Sequence, residues 1–287
     1  MRRPGHRPRR EVLHLGPYRR TFNRDEIPLL RDGPEDANSV DVPFHLDEHE
    51  PELEPVIEIG DIVHADLPPG TVWERLAVLQ ELVAAKVAAD MGNRWVPVVQ
   101  SGCNTTALGV VAGMQRAGAD PVVVWFDAHA CLHTPESSPS GYPGGMVLRQ
   151  LLGGGDRTCA ERLGLRPVRE RDVVLVGARD LDPAEEEFLA GSAVRRVGVD
   201  EVAGLLLPRR PCYLHVDFDV LDPAHVDGLR FPAPGGPTPE RLGSALRAVQ
   251  ATGDVVAAGL ACTWRRNVTQ WPPVQGVGWG VYDRARG

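Results

Sequence analysis

The chain has 287 residues, 43% hydrophobic and 24% charged, with a formal net charge of −8. That length supports a buried core in one large α/β domain or two small ones. No apolar run approaches the roughly 20 residues of a membrane helix, and the basic start MRRPGHRPRR leads into no apolar stretch of the secretory kind. The expectation is a cytoplasmic protein without a membrane partner. The charge is uneven: residues 1–24 hold eight Arg against Glu11 alone, whereas residues 25–66 hold fourteen acids against Arg31 alone. Basic–aromatic patches are missing from the folded elements, so the arm is read as disordered or offset by the acidic stretch, with no nucleic-acid partner. The five cysteines, Cys103, Cys131, Cys159, Cys212 and Cys262, form no CxxC pair and read as reduced thiols.

Residues 1–54 carry turn residues without periodicity and read as an irregular charged segment. Val56–Ile59 is a short strand candidate. A helix is expected from Thr71 to Asp90, because Thr71 and Glu74 form a T-x-x-E box, Leu76, Leu79, Val83 and Val87 make an apolar stripe, and Gly92 follows. Strand and helix patterns then alternate. Trp95–Val99 is a strand and Thr105–Ala117 a helix; Pro121–Phe126 is a strand and Gly145–Leu152 begins a helix. Asp172–Val176 is a strand, Pro183–Ala190 a helix and Val194–Val197 a short strand. Cys212–Phe218 is a strand, Pro239–Ala251 a helix and Val255–Ala261 the last strand. Apolar strands alternating with amphipathic helices predict a three-layer α/β/α domain over 55–264, with a mainly parallel sheet. Residues 265–287 read as an irregular tail.

In parallel α/β sheets, function gathers where strands end at their carboxyl edge. Asp127, His129 and Cys131 follow one expected strand at i, i+2, i+4, so an extended backbone points them the same way. Asp217 and Asp219 share that spacing at the end of another strand. Unpaired carboxylates at a buried edge repel one another without a cation. A D-x-H and a D-x-D, each directly after a buried strand, therefore point to a divalent metal site for Mn, Zn or Fe.

The sequence here resembles the arginase–agmatinase ureohydrolases. VVWFDAHACLHTPESSPSGYPGGM is similar to the family's W-x-D-A-H-x-D-x-N-T-P-x-x-S-x-S-G-x-x-x-G-M run. GARDLDP and HVDFDVLDP match two further family blocks, and SGCNT sits where a fourth belongs. The resemblance implies the family's α/β fold and hydrolysis of guanidino groups at a pair of Mn ions. It also implies departures. Asn104 stands where the family has a His ligand, and Cys131 where it has the second Asp of D-A-H-x-D. Cys262 aligns with the Glu that orients the guanidinium, Gly144 aligns with a proton-shuttling His, and the family's C-terminal helix has no counterpart after Trp264.

Mapped on the two ions, one set becomes Asn104, Asp127, Cys131 and Asp217 and is damaged. The other, Asp127, His129, Asp217 and Asp219, is complete. One retained divalent ion is therefore expected, Mn ahead of Zn or Fe, and the one-metal deacetylase relatives of this fold provide a parallel. Cys131 is either a further thiolate ligand and catalytic group or a small buried thiol. Family contacts to an amino acid's carboxylate align with His133, Ser140 and Tyr142. Asp182 aligns with an amino-binding Asp, or else serves as a helix cap. His133 is also the nearest candidate for a proton shuttle. The catalytic set is thus Asp127, His129, His133 and Cys131; the substrate-binding set is Asp182, Ser140, Tyr142, Asn104 and Cys262. The expected function is hydrolysis of a C–N bond in a small guanidino, amidine or amide compound, in specialised bacterial metabolism. Two alternatives stay open: a metal-poor binding protein on the same fold, and a non-hydrolytic enzyme reusing the cleft. The resemblance leaves a homo-oligomer open.

Overall fold

The structure, a computed structural model, describes residues 37–51, 53, 60–226 and 228–261. Its strands are β1 (Ala37–Val42), β2 (Phe44–His45), β3 (Glu48–His49), β4 (Asp61–Ile62), β5 (Val96–Ser101), β6 (Val122–Phe126), β7 (Val173–Val176), β8 (Arg195–Val197), β9 (Pro211–Asp217) and β10 (Asp254–Ala261). Its helices are α1 (Val72–Gly92), α2 (Thr106–Arg116), α3 (Val147–Leu151), α4 (Thr158–Leu163), α5 (Pro183–Gly191) and α6 (Pro239–Thr252). Eight strands form one sheet in the order β4-β1-β5-β10-β9-β6-β7-β8, with every neighbouring pair parallel. Strands β2 and β3 form a separate antiparallel hairpin.

The layers follow from strand composition. In β6, VVVWF, Val123 and Trp125 join the core beneath α1, α2, α3 and α4, while Val124 and Phe126 join the core beneath α6. A run without polar interruption is thus buried on both faces, as a parallel sheet requires. Helix α1 starts at the expected box: the Thr71 amide donates to Glu74 Oε2 (2.8 Å) and the Glu74 amide to Thr71 Oγ1 (3.3 Å). It lies tightly on α2 at Gly109, where a Cβ would fall 2.8 Å from the Gln80 carbonyl oxygen and from Val83 Cβ. Among the described residues, no helix is long and apolar enough to cross a membrane.

Three expectations change. Residues 37–49 form strands where an irregular segment was expected, and β1 is an inner strand of the sheet. Its sequence, ANSVDV, buries Asn38 and Asp41, so it lacks the apolar run that marks the other inner strands. Asn38 is accommodated by donating to Asp61 and Asp90, 3.0 Å each. The helix expected from Gly145 begins as a 3₁₀ turn, Pro143–Met146, before α3. The short helix α4 had no sequence counterpart. Val56–Ile59, Cys262 and the tail 265–287 lie outside the described residues.

Candidate metal centre

Strands β6 and β9 are neighbours, and register aligns Phe126 with Val216. Asp127 and Asp217 therefore leave the carboxyl edge side by side. Asp127, 1% exposed, has its Oδ1 oxygen on the His129 amide (2.7 Å) and its Oδ2 oxygen on the Trp125 indole N–H (3.0 Å). Asp219 is fixed through its own Oδ1, which accepts the Ala128 amide at 3.1 Å, and its amide donates to Asp217 Oδ1 at 3.1 Å. His129 Nδ1 lies 2.9 Å from Asp219 Oδ2 and 3.4 Å from Asp127 Oδ1. One donor atom each from Asp127, His129 and Asp219 lies within 4.8 Å of the others. Asp217, expected as a fourth ligand, is buried beside them but is not one of these three converging groups.

The electrostatics ask for a cation. Burial, then the charges of Asp219 and Asp127, push the Asp217 carboxyl well above the usual range. Burial and the Asp127 charge push Asp219 up to about 7, against the pull of His129. Burial opposes ionisation of Asp127 too, but hydrogen bonds and charge from His129 outweigh it and hold that carboxyl low. Burial also opposes the His129 imidazolium, and bonding to Asp127 and Asp219 outweighs it, to about 11. In this structure His129 thus stands as the countercharge to a buried acid cluster. Two carboxylates and one imidazole form a mixed O,N donor set that suits Mn, Zn or Fe, so the residues fit a divalent ion.

The remaining departures gather on the other side of Asp127. The Cys131 thiol donates to Asp127 Oδ2 (3.2 Å), and Asn104 Nδ2 donates to Cys131 Sγ (3.2 Å) and toward Asp127 Oδ2 (3.5 Å). Burial, and then neighbouring carboxylates, raise the Cys131 thiol well above its ordinary value. Cys131 has φ 54°, a left-handed conformation that disfavours a cysteine by roughly 1–2 kcal/mol. Asn104, Asp127 and Cys131 thus satisfy one another by hydrogen bonding at the place where the family resemblance implied a further ion.

Beneath the carboxylates lies an aromatic floor. Trp125 stacks on its register partner His215, with ring centroids 3.6 Å apart, and His215 Nδ1 meets Tyr213 Oη at 2.9 Å. Burial pushes His215 down to about 3, so its ring is neutral. Gly259, on the adjacent strand, leaves the space: a Cβ there would collide with Tyr213 Oη.

The expected substrate residues divide. His133 is buried, with Nδ1 at 3.1 Å from Ser137 Oγ and Nε2 at 2.9 Å from Asp182 Oδ2. Asp182 N-caps α5 with its side chain 50% exposed, and its amide donates to Glu185 Oε2 (3.1 Å). Asp182 thus stands at the helix-cap position and at the same time contacts His133. Tyr142 Oη reaches His45 Nε2 (3.0 Å) and Cys103 Sγ (3.6 Å), and Cys103 donates to Asn104 Oδ1 (3.5 Å). Burial, with smaller contributions from Cys103 and Asp217, raises the Tyr142 phenol, and Arg230 draws it back. Ser140 is exposed and takes the Tyr142 amide within its loop (3.2 Å).

Several neighbours had no sequence signal. Asp180 Oδ2 stands 3.6 Å from His129 Nε2. Arg179 donates to the carbonyls of Asp219, Val220, Leu221, Ala233 and Pro234, at 2.6–3.2 Å, tying the D-x-D turn to the following loop. Phe231, in that loop, meets His129 edge-on at 6.3 Å and Tyr142 at 5.1 Å between ring centroids. The GARDLDP block contained Arg179 and Asp180, but a carbonyl clamp has no spacing rule that would single them out.

Comparison with known proteins agrees with this geometry. Residues 31–263 match the sequence profile of the Arginase family. An arginase of Bacillus subtilis is 32% identical over 169 residues, covering 54% of this chain and 57% of the relative. An N(omega)-hydroxy-L-arginine amidinohydrolase of Streptomyces lavendulae is 31% identical over 179 residues, covering 60% and 63%. The chain thus matches less than two thirds of the length of these relatives. A crystal structure of arginase from Bacillus cereus superposes with a TM-score of 0.71 at 21% identity, over 85% of this chain and 96% of that one. With its profile match covering most of the sheet and every converging ligand, this chain belongs to the arginase family of ureohydrolases.

Proposed function

We propose that this protein is a metal-dependent hydrolase that cleaves a C–N bond in a small guanidino, amidine or amide compound, using one divalent ion. The observation that carries the reading is the convergence of Asp127, His129 and Asp219 within 4.8 Å at the carboxyl edge of the central strands. Mn is the first candidate, with Zn or Fe as alternatives. When bound, the ion supplies Lewis-acid polarisation and lowers the pKa of water. Asp217, beside the three ligands, takes the Asp219 amide on its Oδ1 and so holds the turn that carries Asp219.

The chain's own residues do the rest. Asn104, Trp125 and Cys131 direct hydrogens at Asp127 Oδ2 and fix which of its lone pairs remains for the ion. Phe231 packs against the His129 ring. His133 Nε2 and Asp182 Oδ2, 2.9 Å apart, can hold one proton between them and return it to a leaving nitrogen. The half-exposed Asp182 also offers a carboxylate to a substrate amine. The likeness to the Streptomyces amidinohydrolase keeps N-substituted guanidines among the compounds to test, and a remodelled pocket fits a role in specialised metabolism.

The test is calorimetric titration of metal-free protein with Mn²⁺ and Zn²⁺, beside a screen for urea and ammonia release from guanidines and amidines. One equivalent bound by the wild type, lost in Asp219→Asn, together with release that depends on metal, is the expected result. Absence of binding by either metal overturns the reading and leaves a binding protein on this fold.

A further inference from the structure

A second cluster of polar side chains lies outside the metal centre, around the glycine loop 153–155 between α3 and α4. Arg157 Nη1 is buried and meets no hydrogen-bond partner among the described residues. Gln150, in α3, is fully buried and leaves both Oε1 and Nε2 without a partner there. Arg149 lies over the Phe188 ring, with Cζ 3.9 Å from the ring centroid. Among the described residues, neither Arg149 nor Arg157 pairs with a carboxylate. Asp156, the acid of the loop, takes the Thr158 amide on its Oδ1 (2.9 Å).

The glycines bring these groups together. A Cβ at Gly153 would lie 4.0 Å from Arg157 Nη1, one at Gly154 2.5 Å from Arg149 Nε, and one at Gly155 4.0 Å from Gln150 Cγ. Three consecutive residues thus each border one of the three side chains, and the bare backbone at Gly154 leaves the Arg149 guanidinium its space. The loop is half-buried rather than sealed. A Cβ at Gly155 would also lie 3.8 Å from Thr134 Cα and Pro135 Cδ, so the cluster backs onto the segment that carries His133.

Buried polar groups in folded proteins are nearly always hydrogen-bonded, and an orphan calls for a bound water or ion. A desolvated guanidinium nitrogen needs an acceptor, and an anion serves it best. The Gln150 amide narrows the choice, because Nε2 needs an acceptor while Oε1 needs a donor. Chloride and sulfate only accept. Hydrogenphosphate accepts on its oxygens and donates through its P–O–H group, so one ion satisfies all three side chains. A phosphate monoester, ionised with a second pKa of about 6, has no proton left to give.

We propose that Arg149, Gln150 and Arg157 form a binding site for hydrogenphosphate on the glycine loop 153–155, separate from the metal centre. The site does not depend on the hydrolase reading above.

The experiment is calorimetric titration of metal-free protein with inorganic phosphate, sulfate and methyl phosphate, at constant ionic strength and about pH 7.5, where the monoester is almost fully ionised. The wild type is expected to bind one phosphate at least about tenfold more tightly than either of the other two, the scale of one hydrogen bond. Arg157→Gln is expected to weaken phosphate by at least about tenfold, the scale of a lost charge-assisted hydrogen bond. Gln150→Met is expected to bring phosphate and sulfate to equal affinity. No saturable binding of phosphate overturns the proposal and leaves water alone in the site. Equal affinity of the wild type for phosphate and either competitor, or phosphate binding unchanged in Arg157→Gln, overturns it as well. If Arg157→Gln does not fold, Arg157→Lys decides, since it keeps the charge without the planar fork: weaker phosphate binding supports the site, and unchanged binding overturns it. If Gln150→Met does not fold, the wild-type preference for phosphate over sulfate decides.

Discussion

Trp125→Phe tests whether the metal centre is organised from below. The indole N–H donates to Asp127 Oδ2 at 3.0 Å, and the indole ring stacks on His215 at 3.6 Å. Phenylalanine keeps an aromatic face on His215 and removes the donor. A hydrogen bond to a charged group contributes about 1.5–3 kcal/mol, and the smaller ring leaves a void in a fully buried position, adding about 1 kcal/mol. Urea denaturation of metal-free protein should therefore show a loss of roughly 2.5–4 kcal/mol. The donor also orients a ligand oxygen, and changes of that kind cost about 10–100-fold in metal affinity, readable by Mn²⁺ titration. Asn104 and Cys131 still hydrogen-bond the same oxygen, which favours the lower part of that range. An unchanged denaturation midpoint with a metal affinity within about twofold of wild type would refute the reasoning, since the indole would then be only a packing element.

Other consequences are accessible to the same assays. Gly259→Ala drives a Cβ into Tyr213 Oη beneath the site; overpacking of that kind costs about 1–3 kcal/mol and should appear as a lowered denaturation midpoint. Asp41 is 4% exposed, and burial raises its carboxyl to about 7. Because the folded value lies above the ordinary 3.8, the protonated acid favours the folded state, and stability is lost as pH climbs from about 4 through about 7. Asp41→Asn should accordingly stabilise the protein at pH 8 and change little at pH 4, with equal effects at both pH values counting against it. Gly109→Val in α2 forces branched atoms against the Gln80 carbonyl and Val83 of α1, and a midpoint unchanged from wild type would mean that the two helices are not closely packed.

The fold was legible because most of its inner strands are short apolar runs, such as PVVVWF before Asp127, with capped helices between them. The exception is β1, whose stability comes from partners on both sides and from Asn38 meeting Asp61 and Asp90. Tertiary pairing of that kind leaves no periodicity to read. At the site, i, i+2 spacing pointed to Asp127, His129 and Asp219 because a strand end converts spacing into direction. It could not separate Asp217 from the converging three, since the turn after Asp217 redirects the chain: Asp219 lies in a 3₁₀ segment, its amide on Asp217 Oδ1. His45, Arg230 and Phe231 were invisible for a different reason. His45 lies in β2, far in sequence from the neighbours Arg230 and Phe231, and only the fold brings them together beside Tyr142.

The two sides of Asp127 carry different chemistry, and this bears on how many ions the protein can hold. On the His129 side, the neighbours are buried carboxylates that repel one another and that a cation stabilises. On the Cys131 side, an amide and a thiol already supply hydrogens to Asp127 Oδ2. A second ion there would have to displace both donors and deprotonate a thiol that burial holds far above its ordinary value. The left-handed backbone at Cys131 persists although cysteine gains nothing from that conformation. The surrounding packing, including the Arg149 amide on the Cys131 carbonyl at 3.1 Å, therefore sets the backbone, and the side chain alone sets the chemistry. Cys131→Asp tests this directly: the backbone is already in place, so a carboxylate there should raise Mn²⁺ stoichiometry above that of the wild type. If it does not, Asn104 rather than Cys131 is what keeps the second position closed.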